Sequence, residues 1–330
     1  SLRASHRPAG STNRIFLPAM NDIILHHYPA SPFAEKIRLI LGAKGLAWRS
    51  VTIPWIMPKP DLMPLTGGYR RTPVLQIGAD IYCDTALIAR VLDARAPQPP
   101  LYPANRAAAR SVADLADREL FGAAVAYVFQ PAGFAALFQG MKKAQIDAFV
   151  EDRKTMRAGG AARMAVPEAA GQLHGWLHRL TDHLADGRPF LVSDAPTIAD
   201  FSAYHPLWFV RRAPALAPIL AGYPAVAAWF ARMGALGHGE SSELDANEAL
   251  AIAAAATPAD THGQPWVDYH GCQPEDEVEI EPADYGIVPV RGHLVVSAAD
   301  HLAVRRSDPR SGEVVVHFPR IGYRMRKVGP

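Results

Sequence analysis

The chain has 330 residues, of which 49% are hydrophobic and 20% charged, and its formal net charge at pH 7 is +2. This length suits two or three domains of ordinary globular composition, and the small net charge predicts no strong attraction to nucleic acid or to an anionic membrane. No apolar run is long enough to span a bilayer. Two cysteines, Cys83 and Cys272, exclude a disulfide framework and suit a reducing cytoplasm.

Residues 1–21 are not predicted to belong to the fold. They carry Arg and Ser, contain no acidic residue and lack a clear apolar segment. A weak transit-like sequence is one interpretation. Because Met20 directly precedes the first strand-like run, we favour a disordered tail or added residues upstream of the natural start.

The next segment alternates between strand and helix patterns. DIILHH (22–27) is typical of a short buried strand, and WRSVTI (48–53) of a second one. Between them, Ser31 and Pro32 are typical of a helix start, because Ser is a strong N-cap and Pro is favoured at the first helical position. This βαβ order predicts a parallel strand pair.

A Pro-rich connection then leads to TPVLQIGADIYC (72–83), which predicts a β-hairpin around a Gly-Ala-Asp turn. Asp84 and Thr85 are good capping residues for a helix that runs to Pro97. The combined βαβ and ββα order predicts a four-stranded mixed sheet with helices packed on it.

The remaining chain changes character twice. From residue 104 it consists of long Ala-rich segments with apolar residues at spacings of three and four, which predicts helices without strands. From residue 262 it consists of short alternating segments separated by Gly, Pro and Asp. This last pattern predicts a small antiparallel β module or barrel.

Three short motifs at element ends, together with one in the second half, carry a resemblance to a known family. The first three are Ser31 before its helix, the pair Thr-Pro at 72–73, and the pair Asp-Thr at 84–85. The fourth is the helix start TIAD at 197–200. In this order the motifs resemble the Ser-type cytosolic glutathione transferases, over roughly residues 22 to 235.

The resemblance implies an α/β thioredoxin-like domain at residues 22–98 followed by an all-α helical domain at residues 104–257. It leaves the small all-β C-terminal module, residues 262–330, unexplained. It also implies an enzyme that uses glutathione as co-substrate, without a metal, to detoxify an electrophilic small molecule. A cytoplasmic homodimer is expected, with no membrane or nucleic acid as partner.

The resemblance assigns a role to each motif. Ser31 would be the catalytic residue, and seven others would bind glutathione: Phe33, Lys59, Arg71, Thr72, Pro73, Asp84 and Thr85. The bond between Thr72 and Pro73 would be cis, leaving the backbone of Thr72 to pair with the cysteinyl residue. Asp84 would meet the γ-glutamyl ammonium, and Thr85 its carboxylate. Lys59, Arg70 or Arg71 would meet the glycyl carboxylate.

The chemistry at Ser31 has a physical basis. A thiol with a pKa of about 8.5 is mostly protonated at neutral pH, and lowering that pKa by about two units takes roughly 2.7 kcal/mol of preferential thiolate binding. A helix N-terminus and a donated hydroxyl both supply part of this energy. The alternative is that Ser31 is only an N-cap, worth about 1 kcal/mol.

Other polar residues are predicted to be structural. His26 and His27 alternate on one strand, so their side chains point to opposite faces, where packing or solvent is the expected environment. Thr197 and Asp200 are expected to form a capping arrangement. No metal site is predicted, because no third ligand stands at a recognisable spacing.

A rival function uses the same fold without catalysis. In that interpretation the helical domain and the β module bind a protein partner, and Ser31 only caps its helix. The β module favours this alternative, because no transferase chemistry requires it. Its C-terminal basic residues are diluted by acidic residues 275–281, so nucleic acid ranks low.

Overall fold

The computed structural model describes residues 22–103, 106–160 and 162–329. The predicted tail at residues 1–21 lies outside the described residues. In the described ranges, a single helix able to cross a membrane is not found; one bent pair, Ala107–Val128 with Pro131–Leu137, meets the criteria of length and composition.

The N-terminal region has the predicted βαβ and ββα order. Its elements are β1 (Ile24–His27), α1 (Pro32–Ala43), β2 (Trp48–Thr52), α2 (Met63–Thr66), β3 (Val74–Ile77), β4 (Asp80–Cys83) and α3 (Thr85–Arg95). Strand β1 pairs in parallel with β2 and antiparallel with β3, and β3 pairs antiparallel with β4. The predicted thioredoxin-like arrangement is therefore confirmed.

The helical region follows as predicted up to residue 234, but the predicted all-α range of residues 104–257 also contains a strand, Ser241–Glu243, that pairs in parallel with β2. Its helices are α4 (Arg106–Leu115), α5 (Phe121–Val128), α6 (Pro131–Leu137), α7 (Lys143–Arg157), α8 (Val166–His183), α9 (Ile198–Arg211) and α10 (Pro224–Gly234), with a π-helical turn, Ala116–Leu120, between α4 and α5. Apolar side chains of this region share one continuous core with those of α1 and α3. The predicted capping arrangement is present, because Asp200 accepts hydrogen bonds from the backbone N–H and the hydroxyl of Thr197, at 2.8 and 2.9 Å.

The C-terminal β region, residues 277–327, forms strands as predicted but does not stand apart. After β5 (Ser241–Glu243) and α11 (Ala246–Ala255), its strands are β6 (Glu277–Pro282), β7 (Val290–Ser297), β8 (His301–Asp308), β9 (Gly312–Pro319) and β10 (Tyr323–Lys327). They pair antiparallel with one another, as expected. In the described residues they continue the N-terminal sheet rather than close into a barrel.

The junction between the two parts of this sheet is parallel. Strand β9 pairs with β4, in the register Asp80 to Val315 and Tyr82 to His317, and gives a ten-stranded sheet in the order β10-β6-β7-β8-β9-β4-β3-β1-β2-β5. A second apolar core lies against this sheet and includes side chains of β4, α11 and β9. The β module was predicted as a separate unit because pairing between strands more than 200 residues apart leaves no local trace in a sequence.

A buried chain of hydrogen bonds crosses the β4–β9 junction. His317 donates from Nε2 to the carboxylate of Asp80 at 2.9 Å, and Nδ1 of His317 shares a hydrogen bond with Nε2 of His301 at 3.0 Å. The second oxygen of Asp80 accepts the backbone N–H of Ala259 at 2.9 Å. Asp80 is therefore satisfied at both oxygens, although its side chain is fully buried.

Candidate active site

A cleft lies where all three regions of the chain meet. The thioredoxin-like domain contributes the loop before β3 and the first residues of α1 and α3, and the helical domain contributes the end of α4 and the π-helical turn. The C-terminal β region contributes two loops, with Asp284 and Tyr285 on one and Ile321 and Gly322 on the other. The site is therefore not confined to the region in which the sequence motifs lie.

Six of the eight predicted site residues line this cleft. They are Phe33, Arg71, Thr72, Pro73, Asp84 and Thr85. Ser31 and Lys59 do not line it, and each is only 2% exposed. The structure thus brings together the motifs at residues 72–73 and 84–85, and it buries the other two predicted residues beside them.

Asp84 is held on both sides at the start of α3. Its φ of 76° lies in the left-handed region, which non-glycine residues seldom adopt and which is found preferentially at functional sites. One carboxylate oxygen accepts the backbone N–H of Ala86 at 2.9 Å, and the other accepts the hydroxyl of Tyr323, on β10, at 3.1 Å. A carboxylate offers about four acceptor positions, so Asp84 can still accept bonds from an ammonium group.

The hydroxyl of Thr85 is oriented by a hydrogen bond from a buried lysine. Lys36 donates from Nζ to the Thr85 hydroxyl at 3.2 Å and to Asp117 at 2.6 Å, and its side chain is fully buried. Because an ammonium group only donates, the Thr85 oxygen must accept, and its own hydrogen is left to donate elsewhere. Thr85 is therefore suited to donate to an anionic group in the cleft.

Asp117 links this site to the helical domain from within the π-helical turn. His205 donates to it from Nε2 at 3.0 Å, and Ser202 donates at 3.2 Å. Burial alone would raise the pKa of Asp117, but the Lys36 ammonium and His205 outweigh burial and lower it to about 2. Sequence reasoning missed this network. The available signal was Lys36, which stands three residues after Phe33 on the apolar face of α1.

The predicted cis bond between Thr72 and Pro73 is confirmed. The backbone of Thr72 lies outside the paired positions of β3. Its hydroxyl accepts a hydrogen bond from Nζ of Lys59 at 3.0 Å. Lys59 also donates to the carbonyl of Arg70 at 3.0 Å. Burial, with a contribution from Arg153, lowers the pKa of Lys59 to about 7.

Ser31 is the N-cap of α1. Its oxygen accepts the backbone N–H of Ala34 at 3.2 Å. Sequence reasoning missed its neighbour Tyr28, which also receives a hydrogen bond from Arg153 at 3.4 Å. Burial raises the pKa of the Tyr28 phenol, while Arg153 and a hydrogen bond with Ser31 act in the opposite direction. A second hydroxyl therefore stands directly beside the predicted catalytic one.

The paired histidines are buried, in line with the packing expected for them. His26 donates to Gln76 at 2.8 Å, while His27 bonds with Ser50 at 3.0 Å and with Arg38 at 3.0 Å. Burial lowers the pKa of His26 to about 4, and burial together with Arg38 lowers that of His27 to about 3. Both are neutral at pH 7. In the described part of the chain, we find no group of three or more His, Cys, Asp or Glu side chains arranged to hold a metal ion.

Comparisons with known proteins agree with this architecture. A family model described as glutathione S-transferase, N-terminal domain, matches residues 25–100, and one described as glutathione S-transferase, C-terminal domain, matches residues 163–232. A comparison with curated proteins gave no match.

Solved structures extend the similarity. A GST-like protein from Pseudomonas syringae is 44% identical over 93% of this chain and 100% of its own, with a TM-score of 0.78. Glutathione S-transferase III in its apo form is 23% identical over 65% of this chain and 92% of its own, with a TM-score of 0.50. Glutathione transferase F2 from Populus trichocarpa is 16% identical over 64% of this chain and 93% of its own, with a TM-score of 0.50. The last two share the fold, whereas the first also spans most of the C-terminal β region.

Proposed function

Because this chain belongs to the glutathione S-transferase family, we propose that it binds glutathione in the cleft, stabilises its thiolate and adds that thiolate to an electrophilic small molecule. The observation that carries this proposal is the convergence of Thr72, Asp84 and Thr85 on one cleft beside the start of α3. A helix N-terminus with exposed N–H groups favours a carboxylate.

The γ-glutamyl end of glutathione is matched most closely. Its α-carboxylate would accept the Thr85 hydroxyl and the first N–H groups of α3, and its ammonium would donate to Asp84. Two features support this: Lys36 makes Thr85 a donor toward the cleft, and Asp84 is fixed by bonds at both oxygens. The backbone of Thr72 would pair with the cysteinyl residue, as a peptide adds to a strand edge.

Ser31 would stabilise the sulfur. Its oxygen accepts the N–H of Ala34, and its own hydrogen would donate to the thiolate. The thiol proton leaves to solvent, the sulfur lone pair forms a C–S bond with the electrophilic carbon, and the leaving group departs with its bonding electrons. The protein would contribute binding, orientation and preferential stabilisation of the thiolate. We further propose that it acts as a cytoplasmic homodimer in detoxification.

Calorimetry of the full chain with glutathione tests the binding step. We expect a dissociation constant in the micromolar to low millimolar range, and a loss in Thr85→Val, which keeps the shape of the side chain but removes its hydroxyl. Turnover is followed with 1-chloro-2,4-dinitrobenzene as a general aromatic electrophile. Absence of heat with the folded wild-type protein would refute the proposal.

A second candidate, binding of a protein partner without catalysis, is favoured by one observation. Ser31 is 2% exposed and does not line the cleft, so the hydroxyl assigned to the sulfur is not presented to it directly. Glutathione binding without turnover toward any of a panel of electrophiles would favour this second function.

A further inference from the structure

The three cations expected at the glycyl end of glutathione all have partners from the protein itself. Lys59 is buried and donates to Thr72 and to the carbonyl of Arg70. Arg70 is paired with Asp152, on α7, at 2.7 Å. Of the three, Arg71 alone lines the cleft, and it is bound by the C-terminal β region. Asp84 and Thr85 can therefore still bind a ligand at one end of the cleft, whereas the cation at the other end, Arg71, is already paired.

Arg71 is held by Asp284 and Tyr285 through two of the three nitrogens of its guanidinium group. Nη2 donates to the Asp284 carboxylate and to the carbonyl of Tyr285, and Nε donates to that same carbonyl at 3.1 Å. The guanidinium carbon also lies 4.1 Å from the centre of the Tyr285 ring. The Asp284 carboxylate is thus already paired with the guanidinium group that a ligand carboxylate would bind.

The loop that carries Asp284 is fixed from its other side. Gly286 donates from its backbone N–H to the carbonyl of Met156 at 2.6 Å. Gly160 lies so close that a Cβ atom there would stand 2.3 Å from the Asp284 carbonyl oxygen. The helical domain therefore supports the loop against the cleft, and the position of the carboxylate is set by two regions of the protein.

We propose that Asp284 is a specificity-determining residue, which competes with the glycyl carboxylate of glutathione for Arg71. Recognition then rests on the γ-glutamyl end, and the site accepts γ-glutamyl thiols whether or not their other end carries a free carboxylate. This inference rests on the function proposed above and deepens it. It also gives the C-terminal β region a role in choosing the ligand.

The test compares glutathione with its glycyl monoethyl ester, which differs only in that carboxylate. Calorimetry of the full wild-type chain should give dissociation constants for the two ligands within about twofold of each other. Asp284→Asn keeps the size of the side chain and removes its charge, so Arg71 keeps its bonds to Tyr285 but loses the competing carboxylate. We expect this variant to prefer free glutathione over the ester by about three- to fivefold, the range of a half-exposed ion pair.

Asp61→Asn is a matched control. Asp61 is a half-exposed carboxylate that pairs with Arg310 at 2.6 Å, so it also joins the thioredoxin-like domain to the C-terminal β region, but it does not line the cleft. Its ligand preference should equal that of the wild type. If Asp284→Asn loses the native melting transition, Asp284→Ser supplies the same test.

The outcomes separate the two proposals. A wild-type protein that already prefers free glutathione by several-fold, or an Asp284→Asn variant whose preference does not change, would overturn the role of Asp284 and leave glutathione binding intact. A wild-type protein that binds neither ligand would overturn both proposals. Similar affinity for both ligands in the wild type, with a preference that appears only in Asp284→Asn, supports the inference.

Discussion

The helical domain and the C-terminal β region attach to the thioredoxin-like domain in different ways. The helical domain shares an apolar core with α1 and α3, and apolar burial is non-directional. The C-terminal β region adds a backbone ladder at the β4–β9 junction, where a shift by one residue would turn every side chain to the other face. Each attachment also contains a carboxylate that holds basic side chains, the partly buried Asp117 in one and the fully buried Asp80 in the other.

Both attachments contact residues that line the cleft. In the helical domain, Asp117 binds Lys36, which in turn donates a hydrogen bond to Thr85. The C-terminal β region contributes a hydrogen bond from Tyr323 to Asp84 and an ion pair between Asp284 and Arg71. The comparison teaches that both added regions position cleft residues through charged or polar side chains, although one region is attached by an apolar core and the other by strand pairing.

The largest effect is expected from Asp117→Ala. It leaves the Lys36 ammonium fully buried without its counter-ion, which should lower the free energy of unfolding by about 3–5 kcal/mol. Urea denaturation at pH 7 measures this loss. Asp147→Ala is the control, since it breaks an exposed pair with Lys143 and should cost at most about 0.5 kcal/mol. Equal losses in the two variants would contradict the role of the buried pair.

Asp80→Ala should be somewhat less costly, because it leaves hydrogen-bond donors without an acceptor rather than a buried ammonium group without its counter-ion. The backbone N–H of Ala259 and Nε2 of His317 lose their acceptor, which we expect to cost about 2–4 kcal/mol in total. Hydrogen exchange should show faster exchange in β8 and β9 while α8 stays protected. Uniform loss of protection over the whole chain would show instead that the two attachments unfold as one unit.

Ser31→Ala tests the sulfur site next to the helical domain. Loss of an N-cap alone should cost about 1 kcal/mol of stability. Loss of a charge-assisted donor should also raise the thiol pKa of bound glutathione by about one to two units. Turnover should then fall by about one to two powers of ten. Thiolate absorbance across a pH series measures that pKa, and Tyr28→Phe shows whether the neighbouring phenol takes part. If only the melting temperature changes, Ser31 is a cap.

The two attachments should respond to acid in different pH windows. Burial, with His317 and Arg90, places the pKa of His301 well below its usual 6.5, so the unfolded chain takes up a proton that the folded one refuses. Its contribution to stability is complete above about pH 6.5 and falls as the pH drops, by about 1.4 kcal/mol per unit. Asp117 keeps its contribution until the pH falls from 3.8 toward about 2.

Urea denaturation of His301→Gln from pH 7 to pH 5 measures the first window. The variant should lose less stability than the wild type as the pH falls, because one of its acid-sensitive histidines is gone. His26 and His27 contribute in both proteins and cancel in the difference. Parallel curves for wild type and variant would show that His301 does not report on acid stability.

The smallest effect is expected from Tyr323→Phe. The ring keeps its packing on Phe318, 5.5 Å away, and the carboxylate of Asp84 loses one donor. We expect a loss of about 1 kcal/mol in stability and two- to tenfold weaker glutathione binding, in the range of a single hydrogen bond. Thermal melting and calorimetry measure the two effects. Unchanged affinity would show that Asp84 does not need β10 for its position.

Local patterns were sufficient for the elements and for half of the site. Ser31 with Pro32, and Asp84 with Thr85, were readable because capping depends on residues a few positions apart. The helical domain was readable because its apolar residues repeat at the helical period. The family resemblance then supplied the cis bond before Pro73 and the roles of the cleft residues.

Only the tertiary structure decided what surrounds those motifs. The pairing of β9 with β4, the contact of Asp284 with Arg71 and the bond from Tyr323 to Asp84 each join residues more than 200 positions apart. The spacing of apolar residues does not reveal such contacts, because each strand or loop would show the same local sequence pattern without its distant partner. The sequence by itself determined which short segments form helices and strands, whereas long-range packing decided which of their charges a ligand can use.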